Sequence, residues 1–352
     1  MKQTHGGDIY TAKEQYTGEL FDFSANINPL GLQQCVRDAI CANLDVCENY
    51  PDPQNRALRA AISNYEGVNE RQIICGNGSA DLIFKLALAC KPKRALLPAP
   101  TFAEYEYALR SVGTEIVYHD LHEENAFAVS EDILHDLTTD IDMLFLCNPN
   151  NPTGQIISRA LMADIINRCR ECGILLVVDE CFLDFTEQEL KDTVKPYLNL
   201  YPNLFILKAF TKIFAMPGIR LGYGMCANET LLESLNACGQ PWSVSAIAAI
   251  AGVTALTDTD YVARSKQLIA QERNYLTEAL NKLGMKTYDS KSNYIFFRAP
   301  NALDLKESLF RRGILIRSCD NYRGLDNSYW RIAVKDHRSN EMLIASLNEI
   351  LL

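Results

Sequence analysis

No run in this 352-residue chain approaches the roughly 20 apolar residues that crossing a bilayer requires, so no transmembrane helix is expected. A block of lysine and arginine is missing too. With 34 basic against 44 acidic side chains and a net charge of −10, the chain argues against non-specific nucleic-acid or membrane-surface binding, though not against a local cationic pocket. The opening residues, MKQTHGGDIYTAKEQ, lack the apolar core of a secretory signal, and a cytoplasmic location is expected. Cys169 and Cys172 form one Cys-x-x-Cys in the last turns of a predicted helix, but no second pair stands at zinc-site spacing. The twelve cysteines are therefore expected to be reduced, buried small apolar residues, with no metal bound. Internal repeats, low-complexity segments and flexible linkers are also lacking.

What is present is an ordinary globular composition, 48% hydrophobic and 22% charged. The length exceeds one comfortable core and predicts a large domain plus a smaller one. Short apolar runs at 72–75, 95–100, 115–119, 143–147, 174–179 and 204–208 read as buried strands. Helix-length segments such as SADLIFKLALAC and SRALMADIINRCRECG lie between most of them. Unalternating strands separated by helices indicate an α/β fold whose mainly parallel sheet is covered on both faces. Residues 258–284 read as one long helix leading out of the large domain. The remainder reads strand, helix, strand, strand, helix, a smaller α+β unit. The expected division is 36–260 for the large domain, and 1–35 together with 261–352 for the small one.

In parallel α/β sheets, functional groups gather at the carboxyl ends of strands beside helix N-termini. Four candidates fall there. CGNGSAD (75–81) ends the first strand and opens a helix at Ser79 and Ala80, where exposed backbone N–H groups suit a phosphate; the alternative is a plain helix start capped by Ser79. It is not a dinucleotide fingerprint, because Asp81 holds the third glycine position. LCNPNNPTG (146–154) is a polar turn with three asparagines that also suit simple turn formation. VVDECFLDF places Asp179 at the end of a buried strand, where it needs a cationic or hydrogen-bonded partner. Lys212 follows LFILKAF; near a buried strand end, desolvation turns an ammonium into a nucleophilic amine. With Arg220 as a second phosphate-binding cation, these groups together match one ligand, pyridoxal 5′-phosphate. It requires a Schiff-base lysine, a carboxylate at its pyridinium nitrogen and a phosphate site.

On these motifs the chain resembles the fold-type I pyridoxal-phosphate enzymes of the class I/II aminotransferase group, over nearly its whole length. The resemblance implies that Lys212 carries the cofactor and Asp179 partners the pyridine nitrogen. Asn151 would donate to the phenolate oxygen and Phe102 would stack on the ring. The Ser79 and Ala80 amides, Thr211 and Arg220 would hold the phosphate. Tyr50 in NYPDP resembles the tyrosine that reaches the neighbouring site across a homodimer. Arg331 in YWRIAV matches the arginine that binds a substrate α-carboxylate, a planar bidentate task.

Two branches of the group are most similar, the histidinol-phosphate aminotransferases and the threonine-phosphate decarboxylases. HGGDI, DFSANINPLG, PWSVSAIA and GILIRSCDNYRGLDNSYWRIAV lean toward the decarboxylases. Arg317, Arg323 and His5 would then join Arg331 around a small phosphorylated amino acid or amine. The implied reaction converts O-phospho-L-threonine to aminopropanol phosphate, a precursor of the cobalamin side chain; the alternative is transamination of histidinol phosphate. Phe182 departs from the tyrosine usual in the aminotransferases, as it does in the decarboxylase branch. Its lack of a hydroxyl implies a bound cofactor that deprotonates at higher pH. Ala209 stands where many relatives have a phosphate-binding hydroxyl, which shifts weight onto Arg220. Outside this group, a nicotinamide dehydrogenase would need the glycine fingerprint that is absent. A cofactor-sensing regulator would carry an added DNA-binding module, whereas the enzyme-like pattern here begins within the first thirty residues.

Overall fold

The computed structural model describes residues 6–300 and 304–351, so His5 lies outside the described residues. After a short entering helix, the chain forms β1 (Phe21–Asp22) and then builds a seven-stranded sheet. Its strands are β2 (Ile73–Gly76), β3 (Arg94–Ala99), β4 (Glu115–Asp120), β5 (Met143–Cys147), β6 (Leu175–Asp179), β7 (Leu204–Ala209) and β8 (Gly222–Cys226). They lie in the order β2-β8-β7-β6-β5-β3-β4. β8 runs antiparallel to both its neighbours, and the pairs from β7 across to β4 are parallel.

Successive residues of the central strands feed two different cores. Leu144, Leu146, Leu176, Val178, Leu204 and Ile206 pack on one face, while Met143, Phe145, Val177, Phe205 and Leu207 pack on the other. That is why these strands read as continuous apolar runs rather than as alternation. The first face is covered by the helices Arg56–Glu66, Arg159–Cys172 and Ala246–Ala255, the second by Ser79–Cys90 and Ala103–Ser111. Helix Arg159–Cys172 starts where Ser158 accepts a hydrogen bond from the Leu161 amide, and ends at Gly173 in the left-handed region. All twelve cysteines are unpaired thiols.

The six expected strands occur within about a residue of their sequence ranges, but β8 is a seventh that the sequence reading missed. Two glycines made it look like a loop. The structure shows why they are there: a Cβ on Gly222 would lie 2.4 Å from the Ser79 nitrogen, and one on Gly224 would lie 2.3 Å from the Phe205 ring. Close approach of backbone and ring excludes a side chain at both positions.

The long helix spans Thr259–Lys282, with Asp258 accepting from the Tyr261 amide at its start. It leads to β9 (Lys286–Thr287), β10 (Tyr294–Arg298), β11 (Ile314–Leu315), β12 (Arg317–Ser318) and β13 (Tyr329–Ala333). Four of these form an antiparallel sheet in the order β12-β13-β10-β9. The run ILIRS, the second of the strands read from the sequence in this region, splits at Ile316: β11 pairs in parallel with β1, whereas β12 pairs with β13. The Ala333 amide also donates to the Phe23 carbonyl at 2.8 Å, which stitches the early segment to the late sheet. Among the described residues, no helix is long and apolar enough to cross a membrane.

Candidate active site

The carboxyl ends of β2, β5, β6 and β7 surround a cavity of about 220 Å³, closed on its other side by residues 24–26 and by β12 and β13. Asp179, Lys212, Asn151, Phe102, Ser79, Thr211, Arg317 and Arg331 all line it, so eight of the sequence candidates converge on one space. A larger, more open cleft of about 720 Å³ adjoins it and shares Ser24 and Arg317.

Asp179 ends β6 and is 4% exposed. Its carboxylate accepts from the Tyr105 hydroxyl at 2.7 Å and from the Cys181 amide at 2.9 Å. The partner that burial demanded is therefore neutral rather than cationic. Tyr105 is held in place by stacking on Phe145, with ring centroids 4.9 Å apart. Burial, and then the Asp179 charge, push its phenol well above the ordinary range, so it remains a donor. The sequence reading missed Tyr105, which looked like one more core residue on an apolar helix face.

Lys212 lies in the short helix Phe210–Ile213 directly after β7. Burial first, then the nearby Arg331 and Arg220 guanidinium groups, lower its pKa to about 8 against the opposing pull of Asp179. A lowered pKa is what its place after a buried strand end led us to expect. The Phe182 ring centroid is 5.6 Å from its amine nitrogen, so no hydroxyl stands at that position. Two contacts anchor the lysine's backbone to the early segment: the Asn28 amide donates to the Lys212 carbonyl at 3.3 Å, and the Asn28 side chain donates to the Ile213 carbonyl at 2.7 Å.

The three asparagines of the β5 turn divide their work. The Asn148 side-chain oxygen accepts from the Ile157 amide, and Asn150 bonds Pro100, Thr101 and Thr153, so both build the turn. Asn151 lines the cavity and turns its oxygen to Arg331, at 2.5 Å, leaving the amide nitrogen as its donor end. Arg331 sits in β13 opposite Arg317 in the register and donates also to the Ser24 carbonyl at 2.8 Å. Its Nε is buried without a partner, an orphaned donor at the cavity wall.

At the β2 end, Gly78 rather than Ser79 occupies the cap position, with a φ of +82° and no side-chain bond to the first helical amides. The Arg220 guanidinium packs on that glycine: a Cβ there would lie 2.7 Å from Nη2. Uncapped amides at the start of a twelve-residue helix, with a guanidinium alongside, make an anion cradle. Ala209 pairs with Gly222 beside the cradle and contributes no hydroxyl; Thr211 is the neighbouring hydroxyl that faces the cavity.

Two candidates are not brought here. Arg323 forks onto Asp120 at 2.7 and 3.1 Å and lies over the Tyr118 ring, 4.4 Å from its centroid, outside the cavity lining. Its strong partner in β4 diverts it, a long-range pairing that the spacing in NYRGLDNSYWRIAV does not reveal. Tyr50 is 80% exposed and does not line its own chain's cavity. Conversely, Ser24, Cys147, Cys181 and Tyr322 line the cavity without having been singled out.

The donor set fits pyridoxal phosphate: an amine of lowered pKa, a buried carboxylate, a turn asparagine beside a guanidinium, and a cradle that a Cβ at position 78 would fill. A sheet of this topology with this site defines a pyridoxal-phosphate enzyme of the aminotransferase kind. The comparisons agree. The sequence model of aminotransferase class I and II matches residues 18–347, and the chain belongs to that family. It is 39% identical to the threonine-phosphate decarboxylase of Salmonella typhimurium, over 100% of this chain and 97% of that one. The histidinol-phosphate aminotransferase of Methanosphaera stadtmanae is 30% identical, over 94% of this chain and 90% of its own. Among solved structures, the histidinol-phosphate aminotransferase of Clostridium acetobutylicum superimposes with a TM-score of 0.89 at 32% identity, covering 94% of this chain and 99% of that one.

Proposed function

We propose that the protein is a pyridoxal-phosphate-dependent decarboxylase of O-phospho-L-threonine, releasing carbon dioxide and aminopropanol phosphate. The observation that carries this reading is the pair Arg331 and Arg317, adjacent across β13 and β12 and both lining the cavity that contains Lys212. One guanidinium suits the α-carboxylate, and the second suits an anionic group elsewhere on the same small substrate. The identity to a threonine-phosphate decarboxylase along the whole chain supports the same choice. Residues 36–260 would hold the cofactor, while 261–352, grouped with 1–35, would supply the substrate-binding arginines.

Pyridoxal phosphate, when bound, supplies the electron sink that lets a group leave the α carbon as a cation equivalent or as carbon dioxide. Lys212 would hold the cofactor's aldehyde carbon and would move a proton at the substrate's α carbon. Asp179, fixed by Tyr105 and the Cys181 amide, would hold a proton at the ring nitrogen. The Ser79 and Ala80 amides, Thr211 and Arg220 would anchor the phosphate. Asn151 would donate toward the phenolate oxygen, and Phe102 would cover the ring. Arg331 and Arg317 orient the substrate and so select which α bond is weakened.

Tyr50, exposed and outside its own cavity, would complete the partner site in a homodimer. Twelve unpaired cysteines fit a reducing, cytoplasmic compartment. The test is to incubate the holoenzyme with O-phospho-L-threonine alone and, separately, with histidinol phosphate plus 2-oxoglutarate. Carbon dioxide release in the first mixture is expected. Glutamate formation in the second without carbon dioxide in the first would make the protein an aminotransferase instead.

A further inference from the structure

Tyr50 and Trp242 lie 192 positions apart in sequence but stack face to face, with ring centroids 4.5 Å apart and planes inclined by 25°. Both are exposed, Tyr50 at 80% and Trp242 at 45%. The partners come from two segments that meet at one helix. Tyr50 follows the 3-10 turn Leu44–Glu48, which packs on helix Ala246–Ala255, and Trp242 lies in the loop that enters the same helix.

That loop is constrained. Trp242 has a φ of +57°, a left-handed conformation that a bulky side chain seldom adopts. Such a residue persists where its surroundings over-determine it, and such residues cluster at functional sites. The surroundings are visible on both sides. Ser245 caps the following helix by accepting from the Ala248 amide. Before it, the buried Lys85 donates to the Ser243 hydroxyl at 3.3 Å and pairs with Asp81 at 2.9 Å. Asp81 in turn accepts from the Asn77 amide at 3.0 Å, in the turn that forms the phosphate cradle. A Cβ on Gly239 would meet the Lys85 side chain at 2.2 Å, so the loop is pressed directly onto this lysine.

We propose that Trp242 is the positioning residue for Tyr50: it holds the tyrosine ring at the angle from which its hydroxyl enters the second subunit's cofactor site. This rests on the reading that Tyr50 acts across a homodimer. An exposed tyrosine on an open segment would otherwise sample many rotamers, and each binding event would have to order it. The indole face removes that freedom in advance. The Ser243–Lys85–Asp81 connection fixes the indole to the chain's own cradle, so the distance from one cofactor site to the tyrosine offered to the other is built into a rigid path.

The experiment measures pyridoxal-phosphate affinity by equilibrium dialysis, and subunit mass by sedimentation, for the full chain and four variants. Tyr50→Phe and Trp242→Ala are each expected to remain dimeric and to bind the cofactor about tenfold more weakly, the range of a lost hydrogen bond to a charged group. Trp242→Phe, which keeps a stacking face, should return to within about twofold of wild type. The double variant Tyr50→Phe/Trp242→Ala should bind no more weakly than Tyr50→Phe, because the indole acts only through the missing hydroxyl. Losses that multiply in the double variant, or a monomeric Trp242→Ala, would overturn the proposal, the second by making Trp242 an interface residue in its own right. So would a Trp242→Ala that binds as wild type while Tyr50→Phe is weakened; the cross-subunit reading would then stand alone. Unchanged affinity in Tyr50→Phe would reject the cross-subunit reading and the proposal with it.

Discussion

Lys212 is a case where position along a strand determines chemistry. Thr211 alone separates it from the fully buried Phe210, and it lines a cavity already holding two guanidinium groups. With the pKa lowered to about 8, the neutral, nucleophilic fraction grows as pH rises toward that value and is complete above it. The rate at which added cofactor becomes trappable by borohydride should therefore rise about tenfold per pH unit below 8 and level off above it. A flat profile between pH 6 and 8, measured by stopped-flow absorbance and mass spectrometry of the reduced adduct, would refute the lowered value. Lys212 and Asp179 stood out in the sequence because each polar group ends or follows an apolar run, whereas Asn151 and Arg331 were singled out only by the family resemblance; all four line the cavity. Tyr105 was not, since a tyrosine on a buried helix face has the same local signature whether or not its hydroxyl serves a carboxylate. Arg323 misled for the complementary reason: its charge is visible in sequence, and its long-range partner Asp120 is not.

At the level of elements, the central strands were readable because burial on both faces leaves no alternation to confuse, whereas β8 hid behind its glycines. Those glycines give the strand its role. Gly222 lets β8 approach the first turn of helix Ser79–Cys90 so closely that the Ser79 amide lies within 2.4 Å of where a Cβ would be. Gly222→Ala should therefore displace the cradle rather than merely crowd a core. The expected cost is about 1–3 kcal/mol in urea unfolding, with cofactor affinity reduced more than stability alone explains. If the variant binds pyridoxal phosphate as tightly as wild type, the strand's approach does not shape the cradle. The split of ILIRS into β11 and β12 was equally hidden. No local pattern announces that Leu315 belongs to one sheet and Arg317 to another; the division follows from partners at Phe21–Asp22 and Tyr329–Ala333.

On the scale of the molecule, a buried charge cluster joins elements from across the fold. Lys208 of β7, 3% exposed, contacts Asp184 at 2.8 Å, Glu189 at 3.7 Å and Glu66 at 3.8 Å. Lys195 and Lys266 complete it by pairing with Glu66 and Glu189, the latter pair reaching the long helix. Glu180 stands beside the cluster, accepting from the Thr193 hydroxyl and the Val194 amide, and burial pushes its pKa up to about 7. A raised carboxyl pKa means that the folded state holds a proton the unfolded chain releases, so this group's contribution to stability is lost as pH rises from about 4.5 to about 7. Asp184, raised to about 6, acts in the same sense. Glu66 and Glu189 are lowered by their lysines and act oppositely at more acidic pH. Glu180→Gln should flatten the decline, with stability relative to wild type higher at pH 8 than at pH 5 by about 2 kcal/mol. Parallel urea-unfolding profiles for the two proteins would show that Glu180 does not titrate in this range.

The bond from Arg331 to the Ser24 carbonyl spans 307 positions, and β1 pairs with a strand at 314–315. As the chain leaves the ribosome, Ser24 is made 307 residues before Arg331. Until then the growing chain lacks the guanidinium that lines this side of the cavity and bonds the Ser24 carbonyl. The cavity wall therefore joins two segments 307 residues apart, and it is closed on this side only once β13 has been made.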